Sequence, residues 1–222
     1  MANPATRAYD NHARRPSASP SIPPAVGLRV GLTVATVKLV PGLSYPTLTD
    51  GVVALRPWGI DDVDDQLAAF ADPVFVRFSD WAPDTRDQLV DRLQEVELAR
   101  ENSLGIHLAI THPATPSHAL GEVALSGIDD TNQRASVGYW LSPAARGRGL
   151  ASRAVRLISR WAFDELGLLR LELTCGPDNP GSQGVAVRCG FRLEGLLRSH
   201  MAFKGGRRDS LVYGLLPDEL LS

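Results

Sequence analysis

The chain has 222 residues, 44% hydrophobic and 22% charged, enough for one domain with a sizeable core and some chain to spare. Its formal net charge of −2 supplies no global basic field, so small molecules or single protein termini are expected as partners, and nucleic acid and membrane surfaces are not. Cys175 and Cys189 are too few for a disulfide framework and lack the His/Cys company a zinc site needs. They read as buried free thiols in a reducing cytoplasm, with no metal.

Residues 1–45 scatter Pro4, Pro16, Pro20, Pro23 and Pro24 among Ser and Ala, which suits neither helix nor strand, and read as a flexible tail. Arg14-Arg15 ahead of the apolar stretch 26–40 has the outline of an export signal. Arg29 and Lys38 interrupt it, however, and no stretch is long enough to span a membrane. The same stretch could add an edge strand to the domain, or follow from a misassigned start codon.

Residues 46–222 alternate strand and helix patterns without an internal repeat and predict one α/β domain of mixed α+β type. The stretch 51–58 reads as a strand ending at Pro57. A helix follows over 60–70, with Asp61 and Asp62 at its positive end and Val63, Leu67 and Phe70 at helical spacing. A second helix covers 83–100. Residues 105–111, 119–128 and 134–142 are three strands separated by turn-rich segments, the pattern of an antiparallel meander.

The third of these strands runs through Pro143 into Arg146-Gly147-Arg148-Gly149-Leu150-Ala151 and then a long periodic segment. Leu150, Ala154, Leu157 and Trp161 form one apolar stripe of a helix and Ala151, Val155, Ile158 and Ala162 the next, with Arg153, Arg156 and Arg160 opposite and Gly167 closing it. Residues 168–175 alternate as a further strand, so strand, helix and strand make a right-handed crossover and a parallel pair. Glycines at such a turn let an anion approach the unpaired N–H groups of the helix's first turn; a pyrophosphate fits, and Arg146 and Arg148 add charge. The plainer alternative is a tight turn with solvated arginines.

Arg-x-x-Gly-x-Ala at 146–151, between a strand and a helix, resembles the acyl-CoA-binding motif of the GNAT superfamily. Asn179-Pro180-Gly181-Ser182, Cys189-Gly190-Phe191 and Glu194-Gly195 resemble the ribosomal-protein-alanine N-acetyltransferase (RimJ/RimL-like) branch, as does 198–213 with Gly206-Arg207-Arg208-Asp209 between two strands. Trp81 and Pro83 fit that branch's substrate-side helical hairpin. The resemblance covers 48–216.

It implies a mixed, twisted sheet splayed between the strand ending at Leu141 and the strand ending at Cys175, with the pantetheine arm in the splay. Backbone at Tyr139, Trp140 and Leu141 would pair with the pantetheine amides, and the loop 146–151 would hold the pyrophosphate. An amine would attack the thioester directly, and juxtaposing the two reactants would supply much of the rate. Asn179 would contact the cofactor, although Asn-Pro is also a helix cap.

Many relatives carry a tyrosine acid where this chain has Ala186; the branch with Asn-x-x-Ser implies Ser182 instead. Ser136 stands where many carry a glutamate base, leaving Glu122, His107 and Asp129 as candidates. The expected donor is acetyl-CoA or another acyl-CoA such as succinyl-CoA. The acceptor is a protein N-terminus, a small amine or an aminoglycoside-like compound. A catalytically weak acyl-CoA-binding module is the alternative function, and a homodimer is left open.

Overall fold

In the computed structural model, residues 42–80 and 85–221 are described. Residues 1–41, with the stretch 26–40 and most of the expected tail, and Trp81 and Pro83 lie outside the described residues. Among the described residues no helix is long and apolar enough to cross a membrane.

Among the described residues, eight strands form one sheet in the order β1-β2-β3-β4-β5-β6-β8-β7. In chain order they are β1 (Leu48–Thr49), β2 (Ala54–Pro57), β3 (Gly105–Thr111), β4 (Gly121–Asp129), β5 (Arg134–Leu141), β6 (Arg170–Cys175), β7 (Arg192–Phe203) and β8 (Gly206–Leu215). Neighbours are antiparallel except β5 and β6, whose parallel pairing follows from the helical crossover between them. That parallel ladder joins only Arg134 to Arg170, Ala135 to Leu171 and Ser136 to Glu172. Past Ser136 the strands part, and the expected splay opens between Leu141 and Cys175.

Helix α4 (Leu150–Asp164) covers one face of the sheet, burying Leu150, Ala151, Ala154, Val155, Ile158 and Ala162 against Val123, Leu125, Val137, Leu171 and Leu173. The second predicted stripe and the first half of the other, Leu150 and Ala154, therefore form the core face, while Leu157 and Trp161 sit at its edge. Each fully buried Val, Leu or Ile side chain here contributes about 1.5–3 kcal/mol. The opposite face carries α1 (Val63–Phe70), α2 (Pro73–Phe78) and α3 (Arg86–Glu101), centred on Val63, Phe70 and Leu89 with Trp140 packed alongside. Alternation along β5 thus sends Val137 to α4 and Trp140 to the other side.

Just ahead of β1, the Leu43 N–H donates to the Arg100 carbonyl (3.0 Å) and the Tyr45 hydroxyl to Glu97 (2.6 Å). Two elements differ from expectation. Helix α2 was not foreseen; it is short, with the Asp72 carboxylate accepting from the Phe75 N–H (2.9 Å) and Pro73 at its first position. The last hairpin turns at Lys204 (φ 49°) and Gly205 (φ 75°), so Gly206, Arg207, Arg208 and Asp209 belong to β8 rather than to the turn. Two successive positive φ values give the turn whose twist matches a hairpin.

Candidate active site

The splay is the mouth of a cavity of about 1210 Å³. Tyr139, Trp140 and Leu141 wall it on β5, and Thr174, Cys175 and Gly176 on the β6 side. The glycine loop and the first turn of α4 line one end, through Arg146, Gly147, Gly149, Leu150, Ala151 and Ser152. Asn179 and Ser182, at the start of α5 (Pro180–Cys189), line it too.

Local chemistry explains the loop. Gly147 (φ 73°) and Gly149 (φ 74°) both take the left-handed conformation that costs other residues about 1–2 kcal/mol, and a Cβ on either would meet no atom within 4 Å. Conformation requires these glycines, and their outer side is open to a ligand. The α4 ladder starts with the Arg153 N–H donating to the Gly149 carbonyl (3.2 Å), so the N–H groups of 150–152 lie ahead of it, without helical acceptors and suited to an anion.

The two loop arginines are not equivalent. Arg146 Nη2 pairs with Asp72 (2.7 Å), and its Nε donates to the Leu141 carbonyl (3.1 Å). The Arg146 hydrogen bond also holds the Asp72 carboxyl below its ordinary range. Arg146 therefore clamps the loop to β5 and to the cap of α2, besides lining the cavity. Arg148 is exposed and forms no part of the cavity wall.

At the splay, Asn179 Oδ1 accepts from the Ser182 N–H (3.1 Å), which caps α5 and fixes Ser182 in its first turn. The Ser182 hydroxyl lies 2.8 Å from that of Tyr139 and also interacts with the Cys175 thiol. Burial pushes the Tyr139 phenol up to about 12, so it holds its proton throughout the neutral range. Burial likewise raises the Cys175 thiol, and takes that of Cys189 up to about 11. Neither cysteine is a ready thiolate.

Of the base candidates, the structure brings two together. His107 on β3 reaches Glu122 on β4 through Nδ1 (3.2 Å), and Arg92 of α3 reaches the same carboxylate (3.2 Å). Burial pushes the Glu122 carboxyl up, but the hydrogen bond and charge of His107 and the charge of Arg92 outweigh it and leave it lowered. Register sets Glu122 opposite Trp140, and His107, Ala124 and Gly138 in one row across β3, β4 and β5. Cross-strand partners share a face, so the pair lies on the same face of the sheet as Ala124, Gly138 and Ser136. Asp129 is elsewhere: it bonds Asn132 and Arg134 at the far end of β4, away from the splay.

The opposite end of the cavity has little signal in the sequence. Val74, Phe75, Arg77 and Phe78 of α2, Arg92 of α3, and Met201 and Arg208 of the β7–β8 hairpin line it. Trp140 stacks on Trp58 (5.9 Å) and meets Phe70 edge-on (4.9 Å). The Asp72-Pro73 pair is the one local signal that could announce α2; the remaining contacts, such as Trp58 with Trp140 and Phe78 with Arg208, join segments far apart in the sequence. Glu194 has a structural use in the described fold: it takes a two-pronged bond from Arg170 (2.8 Å through Nη1).

A glycine turn ahead of a helix, a parallel pair splayed around a deep cleft and a hydroxyl held in that cleft define an acyl-CoA-dependent transferase site. The profile of the acetyltransferase (GNAT) domain matches residues 53–192, and the chain belongs to that family. YjcK of Bacillus subtilis, named as an N-acetyltransferase, is 31% identical over 174 residues, 75% of this chain and 96% of that protein. The ribosomal-protein-serine acetyltransferase of Escherichia coli is 31% identical over 99 residues, 45% of this chain and 55% of that one, so the chain spans about half its length. YdaF of B. subtilis, with ribosomal N-acetyltransferase in its name, is 33% identical and matched over 54% of its length. The structure of Mycobacterium smegmatis RimJ in complex with CoA-disulfide superposes with a TM-score of 0.70 at 21% identity, covering 81% of this chain and 89% of that one. The chain thus belongs with the GNAT N-acetyltransferases.

Proposed function

We propose that this enzyme transfers the acetyl group to the α-amino group of a protein N-terminus, by direct attack of the amine on the thioester while both are bound. The observation that carries this reading is the Ser182 hydroxyl, fixed at the splay 2.8 Å from Tyr139. Ser182 protonates the departing CoA thiolate and regains its proton from solvent in the open cavity, while Tyr139, neutral at working pH, supports the serine oxygen through their hydrogen bond. Leu150, Ala151 and the loop glycines hold the pyrophosphate, and β5 at Tyr139 and Trp140 takes the pantetheine.

The His107–Glu122 pair accepts the proton the amine loses, through a water over Ala124 and Gly138, because Ser136 cannot. An α-amino group, with a pKa near 8, needs less help here than a lysine near 10.4. The raised thiols of Cys175 and Cys189 argue against an acyl-cysteine intermediate. Both are free, which fits a reducing cytoplasm.

Thiol release from acetyl-CoA, measured with and without an N-terminal peptide, tests the reading. Varying both substrates should give intersecting double-reciprocal lines. Parallel lines would sink direct transfer, and faster release with succinyl-CoA or with an aminoglycoside would reassign donor or acceptor.

A further inference from the structure

The acceptor end of the cavity has an uneven charge distribution. Arg77, Arg92 and Arg208 line it, and among the described lining residues Asp178 is the only carboxylate. Asp178 is shared: Arg208 Nη2 lies 3.2 Å from it and Arg77 Nη2 3.5 Å. Arg92 pairs with Glu122, but that carboxylate is buried behind the wall, so the cation of the pair is the partner that faces the cavity.

Arg208 is held rigidly. Its Nη1 donates to the Phe78 carbonyl (3.2 Å), and its guanidinium lies 4.5 Å from the centre of the Phe203 ring. It also fills the space a side chain at Gly176 would need, since a Cβ built there would fall 1.6 Å from Nη2. Gly176 directly follows Cys175 on β6, so this cation sits beside the splay. Guanidinium groups fixed in advance bind carboxylates in forked geometry and lose little freedom in doing so, whereas ammonium-rich ligands meet repulsion.

We infer that the acceptor is an anionic amine: a peptide N-terminus with acidic side chains in the positions after its first residue, and not a polyamine. The inference rests on the acyltransferase reading and adds the substrate class. Apolar Val74, Phe75 and Met201 on the same walls suit an uncharged first residue, while the three arginines take the carboxylates that follow.

The test compares kcat/KM by thiol release at saturating acetyl-CoA for Ser-Asp-Asp and Ser-Lys-Lys peptides of otherwise equal sequence, spermidine, and free aspartate. The acidic peptide should exceed the basic one by about ten-fold at low salt, with the gap closing as salt screens it. Arg77→Glu should invert or erase that ratio without changing CoA affinity or Tm. Aspartate matching the acidic peptide would assign the anionic acceptor to small molecules. Equal or faster turnover of the basic peptide or of spermidine would overturn the inference while leaving the transferase intact. Absence of thiol release with every amine would instead overturn the transferase reading itself.

Discussion

The two ends of the cavity are built by different means. The donor end is mostly backbone: two left-handed glycines, the first turn of α4 and the open edge of β5, contributed largely by 139–152. The acceptor end is mostly side chains, from α2, α3 and the β7–β8 hairpin, held by contacts such as Lys204 N–H to Asp80 (2.7 Å) and Arg208 to the Phe78 carbonyl (3.2 Å). Backbone recognition suits a ligand common to a family, and side-chain recognition suits the ligand that varies. Damage at the donor end should therefore abolish binding, whereas damage near the acceptor should grade activity or redirect it.

The largest expected effect is Gly149→Glu. The residue would be forced into φ 74° and would place a carboxylate where phosphates approach. CoA binding by calorimetry should vanish while the circular dichroism spectrum persists, because no atom lies within 4 Å of the new Cβ. Unchanged affinity in a folded variant would detach the loop from the donor.

Ser182→Ala comes next. CoA affinity should stay within a few-fold, and kcat should fall by about 10²-fold, the low end for general acid–base groups, because a thiolate with conjugate-acid pKa near 8.5 leaves moderately well unaided. The Asn179 cap bonds the Ser182 backbone, not its hydroxyl, so the helix start survives the change. Equal losses in kcat and in CoA affinity would make Ser182 a binding residue.

The same contrast explains what the sequence could reveal. The loop, the α4 stripe and the Asn179 cap are local patterns whose meaning lies within a dozen residues, and each appears where expected. The acceptor wall depends on pairings such as Arg146 with Asp72 and Arg208 with Gly176, which no local spacing encodes. Helix α2 is too short for its periodicity to register. The final turn hides because Lys204 occupies a position where Asn, Asp or Gly would have signalled it. His107 and Glu122 could be named from sequence as candidates, but only the register of β3 on β4 joins them.

That pair gives the third prediction. His107→Ala should lower kcat by about ten-fold or somewhat more, less than Ser182→Ala, since an α-amine is partly deprotonated already at neutral pH. Added imidazole should restore part of the loss, which a merely structural role would not allow. Glu122 also has a stability signature. Its folded-state pKa is lowered, so its contribution is complete above the unfolded value of about 4.3 and is lost as pH falls through the folded one. Thermal melts of wild type should therefore fall more steeply below about pH 5 than those of Glu122→Gln. Identical acid slopes would remove the charge from the pair.

The smallest effect is expected at Tyr139, where the phenol bonds the Ser182 hydroxyl and is proposed to act through it. A neutral hydrogen bond contributes about 0.5–1.5 kcal/mol net, so Tyr139→Phe should cost about two- to ten-fold in kcat and leave CoA affinity unchanged. Its pKa of about 12, raised by burial, keeps the phenol neutral, so the variant should show the same pH profile as wild type between pH 6 and about 9. The ring must remain, because Tyr139 packs against the main core and a smaller residue would confuse a lost proton with lost packing. A loss matching that of Ser182→Ala would reverse the two roles, with Tyr139 donating the proton and Ser182 merely aiming it. A double variant no worse than Ser182→Ala alone would confirm that the phenol acts only through the serine.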